Sequence, residues 1–239
     1  MCLASEVALA NVNGNRLLVV LGAAAEAARA SPTSFFDTFS TKAFDSLIVG
    51  LSRGSRVRMR VFERDGSESA FCGNGSLALA AALGRAILID TPHGFVPAAR
   101  TAVGAYAALP RPTRIVAATR EASAAYAACG EPHALYRVDR AWRNPPGTIG
   151  SHHAPERNCT VVEYDSPATV RIRTYERGVN AETGSCGTGA CAALAMLEAA
   201  STPLAERVRV EMKGGTLFVT RRSDRFVLEA PVTLEPLTR

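Results

Sequence analysis

The chain contains an internal repeat. Residues 57–75 read VRMRVFERDGSESAFCGNG, and residues 170–189 read VRIRTYERGVNAETGSCGTG. Each copy alternates arginine with apolar residues, passes through Glu-Arg and a polar loop, and reaches Cys-Gly-x-Gly before an Ala/Leu-rich run. The alternation is typical of a half-buried strand, and the Ala/Leu run favours a helix. The duplication therefore predicts two similar halves with a ligand cleft between them.

The repeat and the length together predict the fold class. A chain of 239 residues with 47% hydrophobic content can bury a sizeable core. We expect an α/β (α+β) fold of two pseudo-symmetric domains, 1–112 and 113–239, separated at the Pro-bearing segment Leu109–Arg114. Strands are predicted at VRVEM, TLFVT and RFVLEA after the second helix. The last strand is expected either within the C-terminal half or packed back on the N-terminal half.

Charge and hydropathy exclude several partner classes. The net charge is +5, but its densest group, Arg56–Arg60 (RVRMR), alternates as one face of a strand does, so no nucleic-acid partner is expected. No apolar run reaches about eighteen residues, and the N-terminus has no basic region before an apolar core. We therefore expect a cytoplasmic protein with no membrane partner.

Cysteine and histidine spacing indicates free thiols and no metal. The six cysteines are Cys2, Cys72, Cys129, Cys159, Cys186 and Cys191. They are widely spaced and form no CxxC pair, so neither structural disulfides nor a zinc site is expected. His152 and His153 lie in a loop-like segment, where two exposed imidazoles are expected. No cofactor is predicted.

The repeat places Cys72 and Cys186 at the starts of two predicted helices. The helix amides create a positive field there, which predicts a lowered thiol pKa. Three chemistries use such thiols: a redox pair, a single-nucleophile hydrolase, and a two-base inversion in which one thiolate removes a proton and the other thiol returns one from the opposite face. A redox pair is normally close in sequence, and no thioredoxin-type motif is present. A hydrolase leaves the second cysteine unexplained, whereas the inversion uses both. The alternative without function is a pair of buried thiols beside glycine turns.

The two cysteine segments resemble the signature segments of the diaminopimelate epimerase family of cofactor-independent racemases and epimerases. Weaker similarity is seen in VNGNRLLVV, GEPHALYRV and LEAPVTL. The resemblance implies two pseudo-symmetric domains, each a mixed sheet around a central helix, commonly assembled as a homodimer. It also implies a small amino-acid substrate.

The resemblance assigns roles to individual residues. Cys72 and Cys186 are implied to be the paired acid and base, with His133 as the partner of Cys72 and Glu176 as the partner of Cys186. Gly73, Asn74, Gly187 and Thr188 are implied to hold the α-carboxylate and amino group of the substrate, and Asn15 to line the pocket. Glu63, Glu131 and Arg177 are implied to lie around the substrate side chain.

The chain departs from the family around the substrate side chain. Glu63 and Glu131 stand where the family's diaminopimelate enzymes have asparagines, and a third asparagine is missing from VVEY unless Asn158 replaces it. A carboxylate repels a substrate carboxylate and binds a cation. We therefore expect a basic amino acid, such as histidine, lysine, ornithine, arginine or diaminobutyrate. Glu63 is also the repeat counterpart of Glu176, so tuning of Cys72 is a second interpretation of that residue.

Other functions remain as alternatives. The first is diaminopimelate epimerase itself. Proline or hydroxyproline racemases use a similar cysteine pair with different motifs, and a phenazine-type isomerase would not need two cysteines. A non-catalytic amino-acid-binding protein would tolerate serine at both cysteine positions.

Overall fold

The strands and helices occur in two similar sets. The structure, a computed structural model, describes residues 6–112, 114–116, 125–146 and 157–237. The first set is β1 (Val7–Val12), β2 (Asn15–Val20), α1 (Gly22–Ala30), α2 (Pro32–Thr38), β3 (Ser46–Arg53), β4 (Arg56–Glu63), β5 (Glu68–Ser69), α3 (Gly73–Leu83), β6 (Ile87–Thr91), β7 (Gly94–Arg100) and β8 (Ala105–Pro110). The second is β9 (Ile115–Val116), β10 (Ala125–Ala128), β11 (Pro132–Arg137), a 3₁₀ turn (Ala141–Arg143), β12 (Asn158–Ser166), β13 (Thr169–Glu176), β14 (Ala181–Glu182), α4 (Gly187–Ala199), β15 (Arg207–Met212), β16 (Gly215–Arg221), β17 (Arg225–Ala230) and β18 (Thr233–Leu237).

The described strands form one continuous mixed sheet. Its main order is β9-β10-β11-β12-β13-β15-β16-β17-β8-β7-β6-β4-β3-β2-β1-β18, with β14 on β13 and β5 on β4. The order is symmetric about the β17–β8 pair. The last strand, β18, pairs with β1 of the first set, where β9 pairs with β10 of the second.

Each half wraps its strands around one central helix. Almost every residue of α3 and of α4 is buried, including Leu79 and Leu194, which are fully buried. A helix that is apolar on all sides needs such an enclosed position. Apart from its first turn, the α3 sequence GNGSLALAAAL consists of alanine and leucine, both strong helix formers, and the helix ends at Gly84 in the left-handed conformation (φ +66°).

The predicted repeat and strands are confirmed in this fold. The two copies form β4-β5-α3 and β13-β14-α4, and the segments VRVEM, TLFVT and RFVLEA lie in β15, β16 and β17. His152 and His153, and Thr113 at the predicted boundary, lie outside the described residues. Within the described ranges, no helix is long and apolar enough to cross a membrane.

Candidate active site

The N-termini of α3 and α4 meet head to head. A Cβ atom on Gly73 would lie 3.1 Å from the backbone nitrogen of Thr188 and 3.2 Å from the carbonyl carbon of Gly187. Only glycine allows two backbones to approach this closely. Cys72 and Cys186 are the N-cap residues of the two helices, so this contact brings the two thiol-bearing turns together.

Both sulfurs accept a hydrogen bond from their own helix. The Gly75 amide donates to Cys72 Sγ at 3.2 Å, and the Gly189 amide donates to Cys186 Sγ at 3.4 Å. The expectation of a lowered thiol pKa is nevertheless wrong. Desolvation by burial raises the pKa of both thiols well above the usual range, and the Glu176 carboxylate raises it further, against the weaker effect of the amides.

Glu176 lies beside Cys186. Burial raises the pKa of Glu176 to about 7, although the Thr183 hydroxyl, which donates to the carboxylate, and the Cys186 thiol act in the opposite direction. Glu63 raises this pKa further by charge repulsion. A carboxylate that titrates near neutrality can exchange protons with a neighbouring thiol.

His133 is fully buried among hydroxyl groups. Its Nδ1 and Nε2 atoms lie 3.0 Å from the hydroxyls of Thr160 and Thr188, and burial lowers its pKa to about 3, so the imidazole is neutral. A Cβ atom on Gly189 would lie 3.3 Å from both His133 Cε1 and Cys186 Sγ. This places His133 on the Cys186 side, and its pairing with Cys72 stays a prediction.

Glu63 is a buried carboxylate held by two serines. Ser46 donates to one oxygen at 2.7 Å and Ser69 to the other at 2.6 Å. Burial raises the pKa of Glu63, the two hydroxyls lower it, and the charge of Glu131 raises it. Among the described residues no cation forms an ion pair with Glu63.

Glu131 makes contacts with both halves. One carboxylate oxygen accepts from the amides of Ala70 and Phe71 at 2.9 and 3.2 Å, and the other forms an ion pair with Arg177 Nη2 at 3.1 Å. The amides belong to the loop that precedes Cys72, and Arg177 follows Glu176. Glu131 thus connects the two cysteine loops.

A network of side-chain amides lies at the start of α3. The Asn74 side-chain amide donates to Asn15 at 3.0 Å and to the Ser185 hydroxyl at 2.9 Å. Asn15 in turn donates to Asp45 at 2.8 Å. Asn74 Oδ1 is buried and has no hydrogen-bond partner among the described residues, so it can accept from a ligand N–H group.

These elements line one pocket, whose cavity volume is about 20 Å³ and whose total free space, open solvent included, is about 390 Å³. All predicted site residues except His133 line it, and His133 lies behind Thr188. The lining residues are Asn15, Ser46, Glu63, Ser69, Phe71, Cys72, Gly73, Asn74, Glu131, Asn158, Glu176, Arg177, Cys186, Gly187 and Thr188. The lining carries three glutamates and one arginine, an excess of acidic groups.

Sequence reasoning missed two hydroxyl residues of this pocket. Ser69 stands three residues before Cys72, as Thr183 does before Cys186, and each donates to the glutamate of its own repeat. A closer alignment of the two copies of the repeat would have found Ser69. Ser46 shows no such pattern and reaches Glu63 only because β3 and β4 pair at this position. Asn158 takes part as well, since its Oδ1 accepts from the Arg177 amide at 2.9 Å.

No metal-binding arrangement accompanies this pocket in the described part of the chain, where no group of three or more His, Cys, Asp or Glu residues is placed to hold an ion. The groups present offer proton transfer, hydrogen bonding and charge.

Comparison with known proteins places the chain. The family model for diaminopimelate epimerase matches residues 126–231. The diaminopimelate epimerase of Acidiphilium cryptum is 35% identical over 79% of this chain and 78% of its own length. Among solved structures, a "Predicted Epimerase" of Pseudomonas aeruginosa superposes with a TM-score of 0.74 at 17% identity, covering 97% of both chains. A hydroxyproline epimerase of Agrobacterium vitis, with bound trans-4-hydroxy-L-proline, superposes with a TM-score of 0.66 at 14% identity, covering 96% of this chain and 89% of its own.

The two kinds of similarity agree. The solved structures share the fold, and the sequence relative is 35% identical to this chain over most of both lengths. The chain is therefore a member of the diaminopimelate epimerase family and an isomerase of the racemase and epimerase class.

Proposed function

We propose that this protein inverts the α-carbon of an amino acid with a basic side chain, using Cys72 and Cys186 as a thiol/thiolate pair and no cofactor. The observation that carries the proposal is the contact between the two cysteine-capped helix N-termini at Gly73 and Gly187. That contact gives one small substrate access to two thiols and two sets of helix amides.

Substrate binding follows from the helix termini. The first amides of a helix have no acceptor within the helix, so the turns after Cys72 and Cys186 offer donors to the α-carboxylate. Asn74 Oδ1, which lacks a partner among the described residues, offers an acceptor to the α-ammonium group. These contacts hold the α-carbon between the two sulfurs.

Inversion then needs two proton transfers. One thiolate takes the α-proton and forms an S–H bond, and the electron pair of the broken C–H bond moves toward the α-carboxylate, whose negative charge the helix amides stabilise. The opposite thiol donates its proton to the other face of the α-carbon. The enzyme is left with its two thiols in exchanged protonation states.

Formation of the thiolate is coupled to binding in this scheme. The raised pKa of both thiols keeps them protonated in the free enzyme. A cationic substrate favours the negative form of a neighbouring thiol, and Glu176, with a pKa of about 7, can accept the proton. His133 is neutral and positions the Thr188 hydroxyl.

The substrate side chain is assigned from the charge of the pocket. Glu131 is paired with Arg177, whereas the partners of the Glu63 carboxylate among the described residues are neutral hydroxyls. A buried carboxylate without a cation gains a charge-assisted hydrogen bond when a ligand cation arrives. Glu63, with Ser46 and Ser69, is the group we assign to the basic side chain.

Exchange of the α-proton in deuterated water tests the reaction and the substrate together. The reduced enzyme is incubated with a panel of L-amino acids, and loss of the α-proton NMR signal is followed by chiral analysis. We expect exchange confined to basic amino acids, its loss in Cys72→Ser and Cys186→Ser, and a preference for cationic over neutral substrates that falls at least tenfold in Glu63→Gln. An unchanged preference in Glu63→Gln would contradict the assignment of Glu63, and full activity in both serine variants would contradict the two-thiol mechanism.

Diaminopimelate is the second candidate substrate, because the relative that is 35% identical is named a diaminopimelate epimerase. Including LL-diaminopimelate in the panel decides between the two. Exchange with diaminopimelate alone would make that activity the function of this chain.

A further inference from the structure

The cationic group of the pocket is neutralised by the protein itself. Arg177 lines the pocket, and its guanidinium forms an ion pair with Glu131 at 3.1 Å. The Glu131 side chain is 7% exposed, so water screens the pair only weakly from that side. Arg177 Nε is buried and has no hydrogen-bond partner among the described residues.

An arginine with a spare donor in a ligand pocket can bind a carboxylate through a bidentate contact. In this chain Glu131 already occupies one side of the guanidinium. A substrate carboxylate would have to compete with that internal carboxylate and would also approach the negative charges of Glu63 and Glu131. Both effects disfavour acidic side chains.

Glu131 has a second, separable contact. Its other oxygen accepts from the amides of Ala70 and Phe71, which lie just before Cys72. An amide oxygen could accept the same hydrogen bonds without a charge. Glutamine at this position therefore removes the charge and keeps the acceptor, whereas alanine removes both.

We infer that Glu131 is a specificity-determining residue that blocks Arg177 and so excludes substrates with an acidic side chain. The inference rests on the proposed function and refines it. The preference for a basic side chain has two causes: Glu63 attracts a cation, and the ion pair with Glu131 prevents Arg177 from binding an anion. Removing the charge of Glu131 releases the guanidinium for a ligand carboxylate.

The test measures charge selectivity with ligands of matched length. Lysine, norleucine and 2-aminoadipate have side chains of similar size that are cationic, neutral and anionic. Each is assayed as a competitive inhibitor of α-proton exchange, with the most reactive basic amino acid of the panel as substrate. In Glu131→Gln we expect the affinity for 2-aminoadipate relative to lysine to rise at least tenfold, with norleucine little changed. In Glu131→Ala we expect the same shift together with a lower kcat, because the Cys72 loop loses its acceptor.

Glu163→Gln is the matched control. Glu163 also accepts from a backbone amide, that of Ala141 at 2.7 Å, and also pairs with an arginine, Arg171 at 2.9 Å, but it does not line the pocket. Its relative affinities should stay within twofold of the wild type.

The outcomes separate this inference from the proposed function. A Glu131→Gln ratio within twofold of the wild type, or a wild type that already binds 2-aminoadipate better than lysine, would overturn the role of Glu131. A wild type that exchanges the α-proton of no amino acid would instead overturn the proposed function.

Discussion

At the scale of single residues, desolvation dominates the chemistry of the site. A helix N-terminus stabilises a negative charge by about 0.3–1 kcal/mol, whereas full burial shifts a pKa by up to about 3–5 units, each worth about 1.4 kcal/mol. The Gly75 and Gly189 amides therefore cannot offset the burial of Cys72 and Cys186. The position at a helix start is readable from the sequence, but the burial that reverses its effect is a property of the fold.

Glu176 gives a pH dependence of stability with a defined sign. Its pKa rises from an ordinary value of 4.5 to about 7 in the folded protein, so folding favours the protonated carboxyl group. This contribution is fully present below about pH 4.5 and is lost as the pH rises through about 7. We expect Glu176→Gln, which cannot ionise, to match the wild type at pH 4 and to exceed its free energy of unfolding by about 3 kcal/mol at pH 8.

Denaturant unfolding at the two pH values checks this expectation, and Glu26→Gln on the surface controls for loss of one negative charge. The same Glu176→Gln variant should lose about 100-fold or more in kcat if Glu176 takes part in proton transfer. A variant that is less stable than the wild type at pH 8 would contradict the raised pKa of Glu176.

At the scale of elements, the close contact of the two helix starts sets the geometry of the reaction. A methyl group on Gly73 would meet the backbone of Gly187 and Thr188, which cannot move without moving α4. We expect Gly73→Ala to lower kcat/KM roughly tenfold or more, because small displacements of reacting groups are costly. Thermal stability should change little, because alanine favours helix formation over glycine by up to about 1 kcal/mol, which offsets the close contact of the added methyl group.

Gly84→Ala is the comparison variant, for which we expect a loss of stability and no loss of activity. Gly84 ends α3 in a left-handed conformation, φ +66°, and lies away from the pocket. Alanine there should cost about 1 kcal/mol of stability with kcat/KM unchanged. Equal effects of the two substitutions on kcat/KM would contradict a specific role of the Gly73 contact in the geometry of the reaction.

The elements were the most predictable part of this protein. Alternation in Arg56–Arg60 indicates β4, and the Ala/Leu runs indicate α3 and α4, because both patterns depend only on neighbours in the chain. The contacts that join distant segments were not predictable in this way. Ser46 reaches Glu63 through strand pairing, and Glu131 reaches the amides of Ala70 and Phe71 through the docking of the two halves.

At the scale of the whole molecule, the two halves hold each other's cysteine loops. A Cβ atom on Gly14 of the first half would lie 3.4 Å from the Cα atom of Gly184, and one on Gly130 of the second half would lie 2.5 Å from the Phe71 ring. Both glycines adopt positive φ angles, +82° and +89°. Each turn thus packs on the loop before the cysteine of the opposite half, so the relative position of the halves determines the separation of the thiols.

Oxidation tests that relative position directly. If Cys72 and Cys186 face each other across the pocket, diamide should take up two electrons and two protons from the thiols and leave one intramolecular disulfide between the halves. We expect complete loss of α-proton exchange, full recovery with dithiothreitol, and a higher unfolding temperature for the bridged form, because the bridge closes a loop of more than 100 residues in the unfolded chain. Peptide mapping identifies the bridge. The Cys72→Ser variant, which keeps the buried Cys129, Cys159 and Cys191, should form no such bridge and show no such rise in unfolding temperature. A proven Cys72–Cys186 bridge in an enzyme that still exchanges the α-proton would show that the reaction does not need the two free thiols.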